Sequence, residues 1–151
     1  MKNNKDIFFM KQALICAKKA FMLDEVPIGA VIVKDGKIIS RGFNKSITSN
    51  DTTAHAEIVA LRKACKKLGN YRLNGCTVYV TVEPCAMCAG ALIWARVEKI
   101  IFGAYDSKAG ACGSVFNITD EKKLNHKIQV SGGLLQEECA TIMKEFFKNR
   151  R

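Results

Sequence analysis

Residues 77–88 read Thr77-Val78-Tyr79-Val80-Thr81-Val82-Glu83-Pro84-Cys85-Ala86-Met87-Cys88. The β-branched and aromatic run from Thr77 to Thr81 reads as a buried strand. Pro84 then opens a helix that extends to about Ala95, since a proline in the first turn gives up no intrahelical hydrogen bond. A buried strand passing directly into a helix sets an α/β reading, and the flanking sequence extends it.

Upstream, a helix is expected from about Ala54 to Leu68, stopped by Gly69-Asn70 and preceded by a polar loop from Asn44 to Thr53. Before that loop, Ala30 to Lys34 and Lys37 to Ser40 are β-prone runs joined by Asp35-Gly36, a strong hairpin signal. Ile7, Met10, Leu14, Ala17 and Phe21 recur at helical spacing, which predicts a first helix over about Asp6 to Leu23 with Lys11, Lys18 and Lys19 in solvent. Downstream, Ile100-Ile101-Phe102 reads as a fourth strand, followed by a glycine-rich loop from Gly103 to Gly113. Ile128-Gln129-Val130 reads as a short fifth strand and Leu134 to Lys148 as a last helix. One hairpin combined with helical crossovers predicts a three-layer α/β/α sandwich around a mixed five-stranded sheet. At 151 residues, without repeats or linkers, the chain is expected to be a single domain spanning 1–151.

Composition narrows the class. No apolar run approaches the roughly 20 residues needed to span a bilayer. The opening Met1-Lys2-Asn3-Asn4-Lys5-Asp6 leads into an amphipathic segment without a signal-peptide block, so a cytoplasmic location and no membrane contact are expected. Cysteines number seven, an odd count, and Cys16, Cys65 and Cys139 fall in apolar-periodic segments where a free thiol behaves as a small hydrophobe. Reduced thiols are expected rather than disulfides. The net charge of +10, from 24 basic and 14 acidic side chains, suits contact with a polyanion. Most of those cations are lysines, which also serve as ordinary surface residues.

His55-Ala56-Glu57 adds the chemistry. With Cys85 and Cys88, His55 makes three zinc ligands, one short of a closed tetrahedron, the ligand count of a catalytic site that keeps a position for water. Zinc lowers the pKa of bound water from about 15.7 to about 7 in favourable sites, which yields hydroxide at neutral pH. Glu57 is placed to move that water's protons and belongs outside the ligand set. On a regular helix, residues two apart point to nearly opposite sides. The second helix must therefore begin at His55 and Glu57, with its N-terminus meeting that of the third helix. Competing readings are a redox Cys-x-x-Cys pair, two unrelated motifs, or a structural zinc site closed by Cys112 or His126. The combined pattern H-x-E…P-C-x-x-C is the established signature of zinc nucleobase deaminases.

The surrounding stretches point further. Thr53-Ala54-His55-Ala56-Glu57, Tyr71-Arg72-Leu73, and Tyr79 through Ala91 resemble the bacterial tRNA-specific adenosine deaminases, within the cytidine deaminase-like superfamily. So do Glu25 through Val31, Phe102-Gly103-Ala104 with Asp106, Gly113-Ser114, Asn125-His126 and the ending Phe146-Phe147-Lys148-Asn149-Arg150-Arg151. The resemblance implies hydrolytic conversion of the wobble adenosine of a tRNA anticodon, chiefly of an arginine tRNA, to inosine. On that resemblance, zinc-bound hydroxide would attack C6 and ammonia would leave. It also implies one zinc per subunit, a homodimer, and a tRNA anticodon stem-loop as partner.

By position, the resemblance makes His55, Cys85 and Cys88 the ligands and Glu57 the proton shuttle. Asn44 becomes a nucleoside-binding residue, and Asp106 lies near the target ribose. Phe147 and Arg150 become RNA contacts, by stacking and by phosphate binding. Each has a plainer alternative: a turn residue for Asn44 and Asp106, core packing for Phe147, and helix C-terminal charge for Lys144, Lys148, Arg150 and Arg151. Trp94 is assigned either to a dimer contact or to the core. Tyr105, before Asp106, departs from the charged residue common there. Two other functions stay open at this point: deamination of free guanine or cytosine, and a non-catalytic RNA-binding module with a structural zinc.

Overall fold

Asp35 and Gly36 both take positive φ, 51° and 75°, the backbone that a two-residue hairpin of type I′ requires. They join β1 (Gly29–Lys34) to β2 (Lys37–Phe43) in an antiparallel pair running from Gly29↔Phe43 to Lys34↔Lys37. The computed structural model describes residues 3–148 and 150; the sequence readings that touch Met1, Lys2, Asn149 and Arg151 lie outside them.

The remaining elements are α1 (Asn4–Met22), α2 (Ala56–Leu68), β3 (Cys76–Val82), α3 (Ala86–Trp94), β4 (Lys99–Ala104), β5 (Gln129–Ser131) and α4 (Gln136–Lys148), with a 3₁₀ turn at Ile118–Asp120. The five strands form one sheet in the order β2-β1-β3-β4-β5. β1 runs antiparallel to both β2 and β3, whereas β3, β4 and β5 run parallel. This is the expected mixed five-stranded sheet.

Strand periodicity sorts its two faces. Ala30, Ile32, Val78, Val80, Ile100 and Phe102 pack with Ala56, Ala60 and Ala64 of α2 and Leu92 of α3. The alternate residues Val31, Val33, Tyr79 and Ile101 pack with Phe9, Met10 and Ala13 of α1 and Cys139 of α4. Helices on both faces complete the three layers. The alanines at every fourth position let α2 lie close to the sheet. At Gly42 a Cβ would stand 2.5 Å from the Ala56 carbonyl oxygen and 2.7 Å from the Ala60 nitrogen. That contact fixes α2, and with it His55, against β2.

Element ends differ from expectation where a local contact decides them. Asn3 Oδ1 accepts from Lys5 N at 2.8 Å and starts α1 at Asn4 instead of Asp6. β2 continues to Phe43 because Gly42 keeps its pairing with Ala30. α2 starts at Ala56, not Ala54, and α3 spans Ala86–Trp94, so Pro84 precedes the helix cap instead of occupying the first turn. Leu135 has φ 53°, which moves the start of α4 from Leu134 to Gln136. All seven cysteines are free, as anticipated. Trp94 is 83% exposed, which removes the core alternative for it.

Candidate metal centre and active-site cleft

His55 is the N-cap of α2 and Cys85 the N-cap of α3; both have extended backbone, and neither side chain caps its helix. Their side chains are therefore free to meet. His55 Nδ1 lies 3.7 Å from Cys85 Sγ and 3.5 Å from Cys88 Sγ, and the three ligand atoms all lie within 4.8 Å of one another. With tetrahedral angles, a Zn–S bond of about 2.3 Å and a Zn–N bond of about 2.05 Å put sulfur and nitrogen about 3.6 Å apart. The donor set and its spacing fit zinc. Two helix N-termini do meet here, as the spacing of His55 and Glu57 required.

The field of those N-termini favours thiolate. A hydrogen bond from Cys88, then one from His55, draws Cys85 down to about 3 against the cost of its burial. The same Cys85–Cys88 bond, together with burial, pushes Cys88 up. Glu57 is buried and stands outside the ligand cluster. Burial raises its carboxyl to about 7, opposed by its own backbone N–H and by His55. No fourth protein ligand joins the cluster among the described residues. His126 Nε2 is instead 2.7 Å from the Val97 carbonyl oxygen, and Cys112 is absent from the group. A closed structural site is not formed.

His55 lies in the lining of a cleft of about 860 Å³ that also takes in Asn44, Asp106, Phe147 and Arg150. All of the residues assigned to substrate from sequence therefore share one space. Asn44 is buried, and its Oδ1 accepts from Ala56 N at 2.8 Å, capping α2 from outside. Its amide nitrogen remains available to the cleft. Asp106 Oδ1 accepts from Lys108 N at 3.0 Å and Ala109 N at 3.1 Å, so the turn role and the cleft position coexist. Phe147 is 46% exposed, whereas Phe146 is buried. The Arg150 guanidinium lies 3.8 Å from the Phe146 ring centroid and pairs with Asp24. That engagement makes it an anchor for the end of α4 as well as a cleft residue.

Two carboxylates received no role in the sequence reading. Glu83, next to Pro84, is buried and accepts from Asp106 N at 3.1 Å, from Cys112 N and Ser114 N at 3.0 Å each, and from the Ser114 hydroxyl. Burial opposes its charge, but these donors outweigh it and hold the carboxyl below its usual range. Gly110 allows the approach, since a Cβ there would stand 2.4 Å from the Glu83 carboxyl carbon. Glu25, likewise buried, accepts from Ile47 N at 3.1 Å and Thr48 N at 2.6 Å. Each carboxylate ties down one loop beside the cleft. The available signal was an acid placed next to an apolar run, since a buried carboxylate needs several donors.

The family model for MafB19-like deaminases matches residues 3–151. The chain is 48% identical over 147 residues to the tRNA-specific adenosine deaminase of Bacillus subtilis (strain 168), covering 97% of this chain and 91% of that protein. It is 50% identical over 143 residues to the Haemophilus influenzae protein of the same description, with 94% and 83% covered. The chain belongs to the family of tRNA-specific adenosine deaminases. A solved structure from work on A-to-I editing by tRNA:A34 deaminases at the wobble position of transfer RNA superposes with a TM-score of 0.87 at 46% identity, covering 89% of this chain and 98% of that one. A guanine deaminase from Nitrosomonas europaea shares the fold at a TM-score of 0.79 and 25% identity, covering 97% and 85%. The cytidine deaminase-like architecture is therefore that of the family.

Proposed function

We propose that the chain acts as a single deaminase domain and hydrolytically converts adenosine to inosine at the wobble position of a tRNA anticodon, with an arginine tRNA as the main substrate. The observation that carries this reading is the three-ligand cluster beside buried Glu57, in a cleft whose far wall is the aromatic and basic end of α4. His55, Cys85 and Cys88 would hold one zinc ion per subunit. When bound, zinc supplies a Lewis acid that makes water nucleophilic near neutral pH.

The chain's own groups do the rest. Asn44 and Asp106 orient the target nucleoside, Asn44 through the amide nitrogen that its helix-capping bond leaves free. Adenosine takes up water at C6 and releases ammonia. Glu57 accepts a proton from the water and delivers it to the ring nitrogen; it then takes the remaining proton of the hydroxyl added at C6 and passes it to the departing amine, leaving the C6 carbonyl of inosine. Its raised affinity for protons suits it to carrying one. Phe147 offers a ring to an unstacked loop base while Lys144, Lys148 and Arg150 meet phosphates. RNA is favoured over a free base because a free base presents nothing for those cations to bind.

The stripe Met87, Gly90, Ala91 and Trp94 on α3, exposed at Met87 and Trp94 and half-buried between them, recurs at helical spacing and supports self-association as a homodimer. No helix among the described residues is long and apolar enough to cross a membrane, in keeping with a cytoplasmic enzyme. Incubating the zinc-loaded protein with an anticodon stem-loop and separately with guanine and cytosine tests the reading. Inosine is expected in the RNA. Turnover of the free bases with an unchanged RNA would overturn it.

A further inference from the structure

We propose that Tyr105 is the stacking platform for the base of a nucleotide adjoining the target, and that this base occupies the smaller cavity behind the cleft wall. The inference rests on the RNA reading above. Tyr105 follows the last residue of β4 and precedes Asp106. It is 54% exposed, yet its ring is held. Phe102 meets it with centroids 5.0 Å apart and planes at 88°. Beside it, Gly132 offers only backbone: a Cβ there would stand 2.9 Å from the Tyr105 hydroxyl. The ring is thus fixed without being covered, and little side-chain freedom remains to be lost when a base lies on it.

Tyr105 also lies between two spaces. It lines the cleft that contains His55, Asn44 and Asp106. It equally lines a cavity of about 370 Å³ whose polar groups include Asn117, Thr119 and Asp120. Asn117 Oδ1 accepts the Thr119 hydroxyl at 3.3 Å, which leaves the amide nitrogen of Asn117 as a donor. The Asp120 carboxylate lies in the same lining as an acceptor. A carboxylate reads an exocyclic amine and an amide donor reads a ring nitrogen or carbonyl. The pair therefore suits adenine, cytosine or guanine better than uracil. A tyrosine serving only the core would turn its ring inward, as Tyr79 does with its hydroxyl bonded to Asp6 at 2.6 Å.

The test is a binding cycle between protein and RNA. Dissociation constants are measured for the wild type, Tyr105→Leu and Tyr105→Phe against stem-loops made abasic at each position flanking the target in turn. Tyr105→Leu should weaken binding of intact RNA about tenfold, and Tyr105→Phe much less. The loss should disappear for RNA abasic at one flanking position. 2-Aminopurine at that position should be quenched by the wild type and not by the leucine variant. Equal losses on every abasic RNA, or none on intact RNA, would overturn the proposal. Inosine formation by the wild type reports separately on the function: bound but unconverted RNA sinks that reading alone, and RNA that does not bind sinks both.

Discussion

Glu57 and Glu83 are buried carboxylates with opposite proton affinities, and their surroundings explain the difference. Glu57 has few donors and is raised to about 7 by burial. Glu83 has three backbone N–H groups and a hydroxyl, and is lowered. Glu57→Gln should keep the metal content of the wild type and lose about 10²- to 10⁴-fold in turnover, the range expected for removing a positioned acid–base group. Metal analysis alongside single-turnover rates checks this; a variant that deaminates normally would remove Glu57 from the mechanism. Glu83 and Glu25 make a pH prediction. Their folded pKa values lie below the ordinary 4.5, so between the two values the unfolded chain binds more protons and stability rises with pH. Their contribution is fully present above about pH 4.5 and is lost as pH falls through the folded values. Urea unfolding between pH 3 and pH 7 should show that acid limb, flattened in Glu83→Gln.

At the scale of elements, the site depends on how closely α2 approaches the sheet. Gly42→Ala would drive a methyl into the Ala56 carbonyl and the Ala60 nitrogen, both rigid backbone of the helix that carries His55. A loss of about 3 kcal/mol is expected, together with weaker metal retention. Gly36→Ala is the control: φ is 75° with nothing within 4 Å of the added carbon, so it should cost about 1–2 kcal/mol and leave the metal in place. Thermal melts with and without chelator separate the two. That α2 begins at the His55–Glu57 entrance followed from chemistry, since the two can share one centre only there, whereas periodicity alone placed its start at Ala54 instead of Ala56. The close packing at Gly42 did not, because a lone glycine in a strand pattern equally signals a bulge or a bend.

For the whole molecule, charge and oligomeric state carry the predictions. RNA affinity should fall steeply with salt, and Lys144→Ala should reduce the slope by about one without changing metal content. Arg150→Ala should also loosen α4, because its guanidinium holds Phe146 and Asp24. On the proposed homodimer, the wild type should sediment as a dimer and Trp94→Glu as a monomer; a monomeric wild type would remove the dimer, and an unchanged dimer in the variant would move the interface elsewhere. The element order and the meeting of His55, Cys85 and Cys88 were legible in the sequence, because periodicity and ligand chemistry act over a few neighbouring positions. His55-Ala56-Glu57 and Pro84-Cys85-Ala86-Met87-Cys88 supply three donors and a carboxylate in any fold that joins them. What only the tertiary structure decided are contacts between distant segments. Asn44 caps α2 from the end of β2, Glu83 pins the loop that carries Asp106, Arg150 is engaged by Asp24, and Tyr105 stands between two cavities. These depend on which backbone donors and rings arrive at one place once the sheet is assembled, and no local pattern of residues records that arrival.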